Sequence, residues 1–389
     1  MKKSKIPPRV KILGFVSLLN DSASEMIYPF LPVFITKYLG AGPAFLGLIE
    51  GAAESINSFL KLGSGWFSDR VKRKKPFVSI GYVIASFLRP LIGIARSWIT
   101  VFFLRFFDRV GKGIRASPRD AMIAESSSIE IRGKSFGFHR GMDNLGAFIG
   151  PLIAFSLVKF ANIDLRTLFI LTLIPGIFVF ILVVFFLKEI GSFSSEKVEH
   201  RENSKFSFTF KYYLFTLMIF TLGNSSDTFL FLKATETGVS MAFLPVLWMA
   251  HNLVKSSLSY PSGSLSDKIG RKKIIIFGWI LYSIIYFGFA FSTSPFHVLF
   301  LFVVYGSVFG ITEGVEKAFV ADMVKPTQRG TAYGLYNFIL GVSLFPASLI
   351  TGVLWQKINS KAAFLFGAMM ALVASILMMM LKESKQKEI

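Results

Sequence analysis

Along the chain, apolar runs of about twenty residues or more alternate with short breaks of charged or turn-forming residues, and each run is long enough to cross a ~30 Å hydrocarbon core as a helix rising 1.5 Å per residue. Reading run against break predicts twelve spans, at about 10–38, 44–68, 76–95, 98–122, 136–160, 166–188, 212–232, 242–266, 274–292, 297–323, 332–355 and 361–381. The first run follows the basic Met1-Lys2-Lys3-Ser4-Lys5 flank of a signal peptide but continues through Tyr38 without a clean small-residue cleavage site, so an uncleaved first span is expected. The one long polar interruption, Lys188 to Lys211, is rich in Ser, Glu and Lys and reads as a flexible linker. The expected fold is an all-α membrane protein of twelve transmembrane helices. It comprises an N-terminal six-helix bundle over 1–190, a cytoplasmic linker over 191–211 and a C-terminal six-helix bundle over 212–389.

Composition removes the main competitor. Hydrophobic residues make up 53% of the chain and charged residues 17%, against roughly 25% charged in soluble domains, which rules out a soluble globular enzyme. The net charge of +20, from 43 Lys and Arg against 23 Asp and Glu, taken alone suggests nucleic acid. Mapped onto the spans, however, most of the basic residues fall in the loops on the side that holds both termini. The positive-inside bias therefore accounts for the charge, places both ends in the cytoplasm and leaves no nucleic-acid partner to expect; the inner (cytoplasmic) membrane of the cell is the expected location. With 0 Cys, thiol catalysis and Cys-based metal sites are excluded.

The halves repeat. Gly-Trp-Phe-Ser-Asp-Arg-Val-Lys-Arg-Lys-Lys at 65–75 returns as Gly-Ser-Leu-Ser-Asp-Lys-Ile-Gly-Arg-Lys-Lys at 263–273, and Ala124-Glu125, Arg132-Gly133 and Gly137 recur as Ala321-Asp322, Arg329-Gly330 and Gly334 at one constant offset. Repeated halves around a midplane site are the architecture of many secondary transporters. On these residues the chain resembles the major facilitator superfamily over essentially its full length; the loop after spans two and eight is that superfamily's signature, with Lys72 in place of the pattern's Gly in the first copy. The resemblance implies a conformational latch built from Gly65, Asp69, Arg70 and Arg73 and from Gly263, Asp267 and Arg271, with Asp69 near a helix N-terminus of the other half. In span five, Gly146-x-x-x-Gly150-Pro151 resembles the motif of exporters in this superfamily, although Ala154 and Phe155 stand where a Gly pair belongs. Small residues at this spacing permit close helix packing whichever direction transport takes.

Charges within the spans are costly, roughly 2.5–3.5 kcal/mol each on insertion scales, and so are candidates for function. On span four, Arg105, Asp108, Lys112, Arg115 and Arg119 follow at spacings of three and four, which puts them on one helical face with Arg109 and Asp120 at its edges. Candidate counter-charges are Asp21 with Glu25 on span one and Glu50 with Glu54 on span two, each pair sharing a face. At 1.5 Å per residue Glu25 and Arg105 fall at matching depths, so Arg105 is expected to pair with Glu25 or Glu54. The network serves either as a proton and substrate pathway or as permanent salt bridges that fix packing. Asp143 in span five, Asp227 in span seven, His251 and Lys255 in span eight, and Glu313, Glu316 and Lys317 in span ten extend the candidate pathway, with Glu313 and Lys317 spaced for an i,i+4 pair. Tyr28-Pro29 and Leu31-Pro32 predict a kinked end to span one.

Other classes fit poorly. Gly133-Lys134-Ser135 has Ser128 where a phosphate-binding loop needs its first Gly and follows no strand. With 4 His in the chain and none sharing a span with a suitable Ser–acid pair, an intramembrane hydrolase is not expected. The expectation is therefore a non-enzymatic, proton-coupled exporter of a small organic molecule that works by alternating access as a monomer in the bilayer, with no cofactor and no metal. Proton-coupled uptake of an organic or anionic solute is the alternative, and a transport-inactive sensor or assembly protein on the same fold is a third reading.

Overall fold

The computed structural model describes residues 6–71, 73–127, 131–189, 206–325 and 328–381. Among them there is no strand, and twelve helical spans stand where the hydropathy pattern sets them. The first runs from α1 (Pro8–Ile27) through a 3-10 turn (Tyr28–Phe30), the short α2 (Leu31–Val33) and a π-helical turn (Phe34–Tyr38). Next come α3 (Pro43–Val71), α4 (Lys75–Leu91) with a 3-10 turn, α5 (Trp98–Glu125) and α6 (Arg132–Lys159). The sixth span is α7 (Leu165–Leu171) with α8 (Leu173–Ile181), and the seventh is α9 (Phe208–Gly223) with α10 (Thr228–Glu236). Five long helices follow: α11 (Leu244–Ile269), α12 (Arg271–Phe291), α13 (Pro295–Asp322), α14 (Arg329–Lys357) and α15 (Ser360–Met380). By length and composition 8 of the spans are apolar enough to cross a membrane. The others are spans one, two, four and eight, which carry much of the intramembrane charge.

The kink expected in span one is present, because Pro29 and Pro32 each remove an N–H from the helical ladder. A second break, at Asn224–Asp227 inside span seven, departs from the continuous run expected there. Asn, Ser and Asp compete with the helix for backbone hydrogen bonds, and the freed groups find partners. The Tyr282 hydroxyl donates to the Gly223 carbonyl at 3.0 Å, and the Ser226 N–H donates to Ser348 Oγ at 3.2 Å. Such satisfaction is what allows irregular backbone at membrane depth.

The chain divides into two compact units. Unit 1 is Met1–Ala41, Ala52–Glu196 and Ser240–Met249; unit 2 is Gly42–Gly51, Lys197–Val239 and Ala250–Ile389. The start of α3 thus belongs with the C-terminal spans. There Gly47 lies against the Ser348 backbone, Gly51 against Phe345, and Gly352 of α14 against the Pro43 carbonyl, with no room for a Cβ at Gly47 or Gly352. The start of α11 belongs with unit 1, where Phe155 of α6 meets Phe243 at 5.7 Å between ring centroids.

In unit 1 a fully buried cluster of Val10, Leu13 and Val16 from α1, Val78 and Tyr82 from α4, Met122 and Ile123 from α5, and Val179 from α8 fastens spans one, three, four and six. Two glycine pairs bring neighbouring helix backbones together. Gly81 of α4 and Gly111 of α5 each face the other's carbonyl, and in unit 2 Gly223 of α9 and Gly367 of α15 do the same. Where hydrophobicity gives no preference between lipid and a neighbouring helix, close backbone contact of this kind selects the partner.

Candidate functional site

The site grows from α5. Ser97 caps its start by accepting the Thr100 N–H at 3.3 Å, and this fixes the phase of the following turns. Phe103 and Phe107 are then exposed on the outer face while Arg105, Asp108, Arg109 and Arg115 are buried on the inner one. The helix is amphipathic in the sense opposite to that of a soluble protein, with its charge inward, as the spacing predicts.

Asp108 is the hub. Its Oδ1 lies 3.0 Å from Arg89 Nε of α4, and its Oδ2 lies 3.7 Å from Arg105 Nη1. Arg89 Nη1 also donates to the Asn20 carbonyl at 2.8 Å and to Asn20 Oδ1 at 3.0 Å, while Asn20 Nδ2 donates to Asp21 Oδ1 at 2.8 Å. A chain of polar contacts therefore runs from α5 through α4 to α1. At the next position on α5, Arg109 Nε meets Glu54 Oε1 of α3 at 2.9 Å, and Asn57 Nδ2 donates to the other Glu54 oxygen at 3.2 Å.

Among the described residues no ion pair of Arg105 with Glu25 or Glu54, the expected pairing, is found. Glu54 is taken by Arg109, which lies one turn nearer its level, and Glu25 accepts from Trp248 Nε1 at 2.6 Å. Depth arithmetic places the residues in the right layer but not azimuthally, which decides between neighbours four apart. Arg89 escapes the sequence reading altogether, although it is the one charged residue in the otherwise apolar run at 76–95, a signal that marks it.

The cations are not evenly matched. Arg115 donates to the Gly81 carbonyl at 3.4 Å and stands over the Tyr82 ring at 4.4 Å, and Arg119 pairs with Asp120 at 2.9 Å. Lys112 of α5 and Lys61 of α3 have no carboxylate within ion-pair distance among the described residues. The two helices touch here, with Ser64 Oγ donating to the Gly113 carbonyl at 2.9 Å and Ser117 Oγ to the Lys61 carbonyl at 2.7 Å. Lys112 is within electrostatic range of Lys61, Arg109, Glu54 and Asp21. Asp21 and Glu25 likewise lack a cation within ion-pair distance among the described residues.

The glycines of span five seat this site. Gly146 of α6 stands against the Leu18 carbonyl, where a Cβ would come within 2.5 Å, and Gly150 stands against the Ser22 carbonyl more closely still. They hold α6 on the stretch of α1 that carries Asn20, Asp21 and Glu25. Pro151 follows inside α6, whose helix continues to Lys159. Asp143, on the same helix, lies 3.5 Å from His139 Nδ1 and 3.8 Å from Arg140 Nη1.

Unit 2 places its candidates in an aromatic setting. Asp227, at the break in span seven, accepts from the Tyr305 hydroxyl at 2.7 Å. His251 is buried against Tyr305, Phe302 and Phe309, so it packs as an aromatic ring. Glu313 pairs with Lys317 at 3.1 Å, as its spacing predicts, and also with Lys255 of α11 at 2.8 Å. Glu50 is buried with unit 2.

Of the expected latch, Gly65, Asp69 and Arg70 lie outside the described side chains, and Arg73 is exposed. The second copy is visible. A Cβ on Gly263 would meet nothing within 4 Å among the described residues. Asp267 meets Arg271 Nη2 at 3.4 Å, and Arg271 Nε meets Asp322 at 2.9 Å. In the first copy Lys74 reaches Glu125, the repeat counterpart of Asp322, at 2.6 Å. Each loop is thus tied to the end of the fourth span of its own unit. Glu189 adds a carboxylate on the N-terminus of α4, accepting the Lys74 and Lys75 N–H groups at 3.2 Å.

The profile of the Major Facilitator Superfamily matches residues 13–250 and again 213–389. The chain belongs to the Major Facilitator Superfamily. It is 36% identical over 382 residues to an uncharacterized MFS-type transporter of Methanocaldococcus jannaschii, covering 96% of this chain and 95% of that protein. It is 25% identical over 368 residues to the cis,cis-muconate transport protein of Acinetobacter baylyi, covering 87% and 86%. Among solved structures, the nucleoside transporter NupG superposes with a TM-score of 0.76 over 97% of this chain and 100% of that one; at 14% identity it shows the shared fold. The chain is thus a multi-pass membrane transporter of the Major Facilitator Superfamily, and the repeated loop and paired halves are features of that membership.

Proposed function

We propose that this protein is a proton-coupled exporter of a small organic anion, working by alternating access as a monomer in the cytoplasmic membrane with both termini inside. The observation that carries the substrate class is the unmatched pair Lys112 and Lys61 beside the Arg109–Glu54 ion pair. An ammonium left without a carboxylate at membrane depth costs roughly 2.5–3.5 kcal/mol on insertion scales, and a bound carboxylate of the substrate offsets that cost. The relative named for cis,cis-muconate, a dicarboxylate, agrees with such chemistry.

Among the carboxylates expected to carry a proton, Glu54 and Asp108 are held by arginines, whereas among the described residues Asp21 and Glu25 are held by neutral donors, Asn20 and Trp248. Protonating either of the latter breaks no ion pair, so they are the carriers in unit 1. The export reading is supported by the exporter-like Gly146-x-x-x-Gly150-Pro151, whose glycines pack against the part of α1 that bears these two carboxylates.

The test is flux of labelled mono- and dicarboxylates through reconstituted liposomes under an imposed pH gradient, comparing wild type with K112Q and K61Q. Each lysine variant is expected to lose about tenfold or more in anion flux, equivalent to about 1.4 kcal/mol of lost binding, without a fall in melting temperature, since no ion pair is broken. Unchanged anion flux in both variants contradicts the assignment.

A further inference from the structure

The tenth span carries two carboxylates in opposite settings. Glu313 stands between two cations, Lys255 and Lys317. Glu316, three residues on, is 6% exposed and has no cation within ion-pair distance among the described residues. Its Oε1 accepts from Trp279 Nε1 of α12 at 2.9 Å, and its Oε2 accepts from the Tyr336 hydroxyl of α14 at 2.8 Å. Tyr213 of α9 brings a buried hydroxyl that makes no hydrogen bond among the described residues and lies within electrostatic range of both Glu316 and Tyr336.

Other charged and titratable groups around α13 are committed elsewhere. Lys255 and Lys317 flank Glu313, Asp227 accepts from Tyr305, and His251 packs among aromatic rings. A buried carboxylate is ordinarily found paired with a cation, because an isolated ion loses several kcal/mol of solvation. Neutral donors alone leave this carboxyl free to gain or lose a proton without stranding a partner charge.

The donors also suit both forms. A carboxylate only accepts, whereas a carboxylic acid must donate one O–H. Trp279 Nε1 only donates and serves Oε1 in either state. A tyrosine hydroxyl both donates and accepts, so a proton arriving on Oε2 needs only that the Tyr336 O–H turn round and accept. The Tyr213 oxygen is the acceptor left unused beside them. The charged form and the neutral form are then both satisfied, a condition that a fixed salt bridge does not meet.

We infer that Glu316, with Trp279, Tyr336 and Tyr213, forms a proton-binding site within unit 2. One proton passes between bulk water and Glu316 Oε2, and no other bond is made or broken. The site's part in transport rests on the proton-coupled reading above; its protonation does not.

The experiment is infrared difference spectroscopy of the full chain in lipid, taken from alkaline to acid pH, on wild type, E316Q, Y336F and E313Q. A carboxylic-acid C=O band is expected to grow in wild type on acidification, to be lost in E316Q, to shift in frequency in Y336F and to persist in E313Q. A band that keeps its intensity in E316Q and its frequency in Y336F overturns the site. The Y336F arm stands if E316Q fails to fold. In liposomes the dependence of solute flux on a pH gradient is expected to weaken in E316Q. A wild type whose flux moves no protons, with the Glu316 band still titrating, overturns the functional reading and leaves this site in place.

Discussion

Replacing Asp108 by Asn keeps the shape of the hub and one acceptor oxygen, and removes only the charge. Asp108 is fully buried, and the side chains facing it, Arg89 and Arg105, are 3% and 1% exposed. Neither guanidinium can reach water without unpacking α4 from α5, whose facing Gly81 and Gly111 leave no slack. Breaking a buried ion pair by removing one partner typically costs about 3–5 kcal/mol. For a unit of this size each kcal/mol lowers the melting temperature by about 2–4 °C, so D108N should melt roughly 6–20 °C below wild type in the same detergent. The double variant R89Q/D108N should recover part of that loss, since it removes the stranded cation together with its partner. A single variant that melts within about 2 °C of wild type, or a double variant whose losses simply add, would refute the hub.

Two further outcomes follow from packing and capping. Gly150→Val puts two methyl groups against the Ser22 carbonyl and should destabilise unit 1 by about 1–3 kcal/mol, whereas Gly141→Ala on the same helix, where a Cβ meets nothing within 4 Å, should be neutral or stabilising; denaturation of the two variants side by side checks the pair. Asp164, outside the membrane, caps α7 by accepting the Arg166 and Thr167 N–H groups at 3.1 and 3.3 Å. The Thr167 side chain and these N–H groups hold its carboxyl below the usual range. A depressed carboxyl stabilises the fold above its unfolded-state value and loses that contribution as pH falls through its folded value. D164A should therefore cost about 1 kcal/mol at neutral pH and converge with wild type in acid, as read from melting curves across pH.

Hydropathy fixed the number and place of the spans because twenty apolar residues in lipid have one low-energy conformation, a helix with its backbone satisfied. The repeat between 65–75 and 263–273 was legible for the same reason a motif is: it rests on identity and spacing. The break at Asn224–Asp227 was not legible, because it depends on Tyr282 and Ser348, more than fifty residues away in sequence, to satisfy the freed backbone. In the site, periodicity found the inner face of α5 but not the choice of partners. Arg105 and Arg109 are equivalent on the sequence ruler, and only the packing of α3 on α5 through Gly113 and Ser64 brings Glu54 to the second. The partners of Arg89 and Trp248 on α1 appear only once α1 lies beside them.

The border between the units carries the same lesson. Gly42–Gly51 packs with unit 2 and Ser240–Met249 with unit 1. Contact follows the glycine faces of α3 and the aromatic start of α11, and chain order has no say in it.

The most direct measurement is proton movement driven by solute alone. Liposomes holding the purified protein and a pH-sensitive dye receive a dicarboxylate on one side with no imposed gradient. The account predicts a change in internal pH that depends on the dicarboxylate, is absent from protein-free liposomes, and is strongly reduced in K112Q. Carboxylate flux that leaves the internal pH unchanged, or a proton signal that K112Q preserves in full, would contradict it.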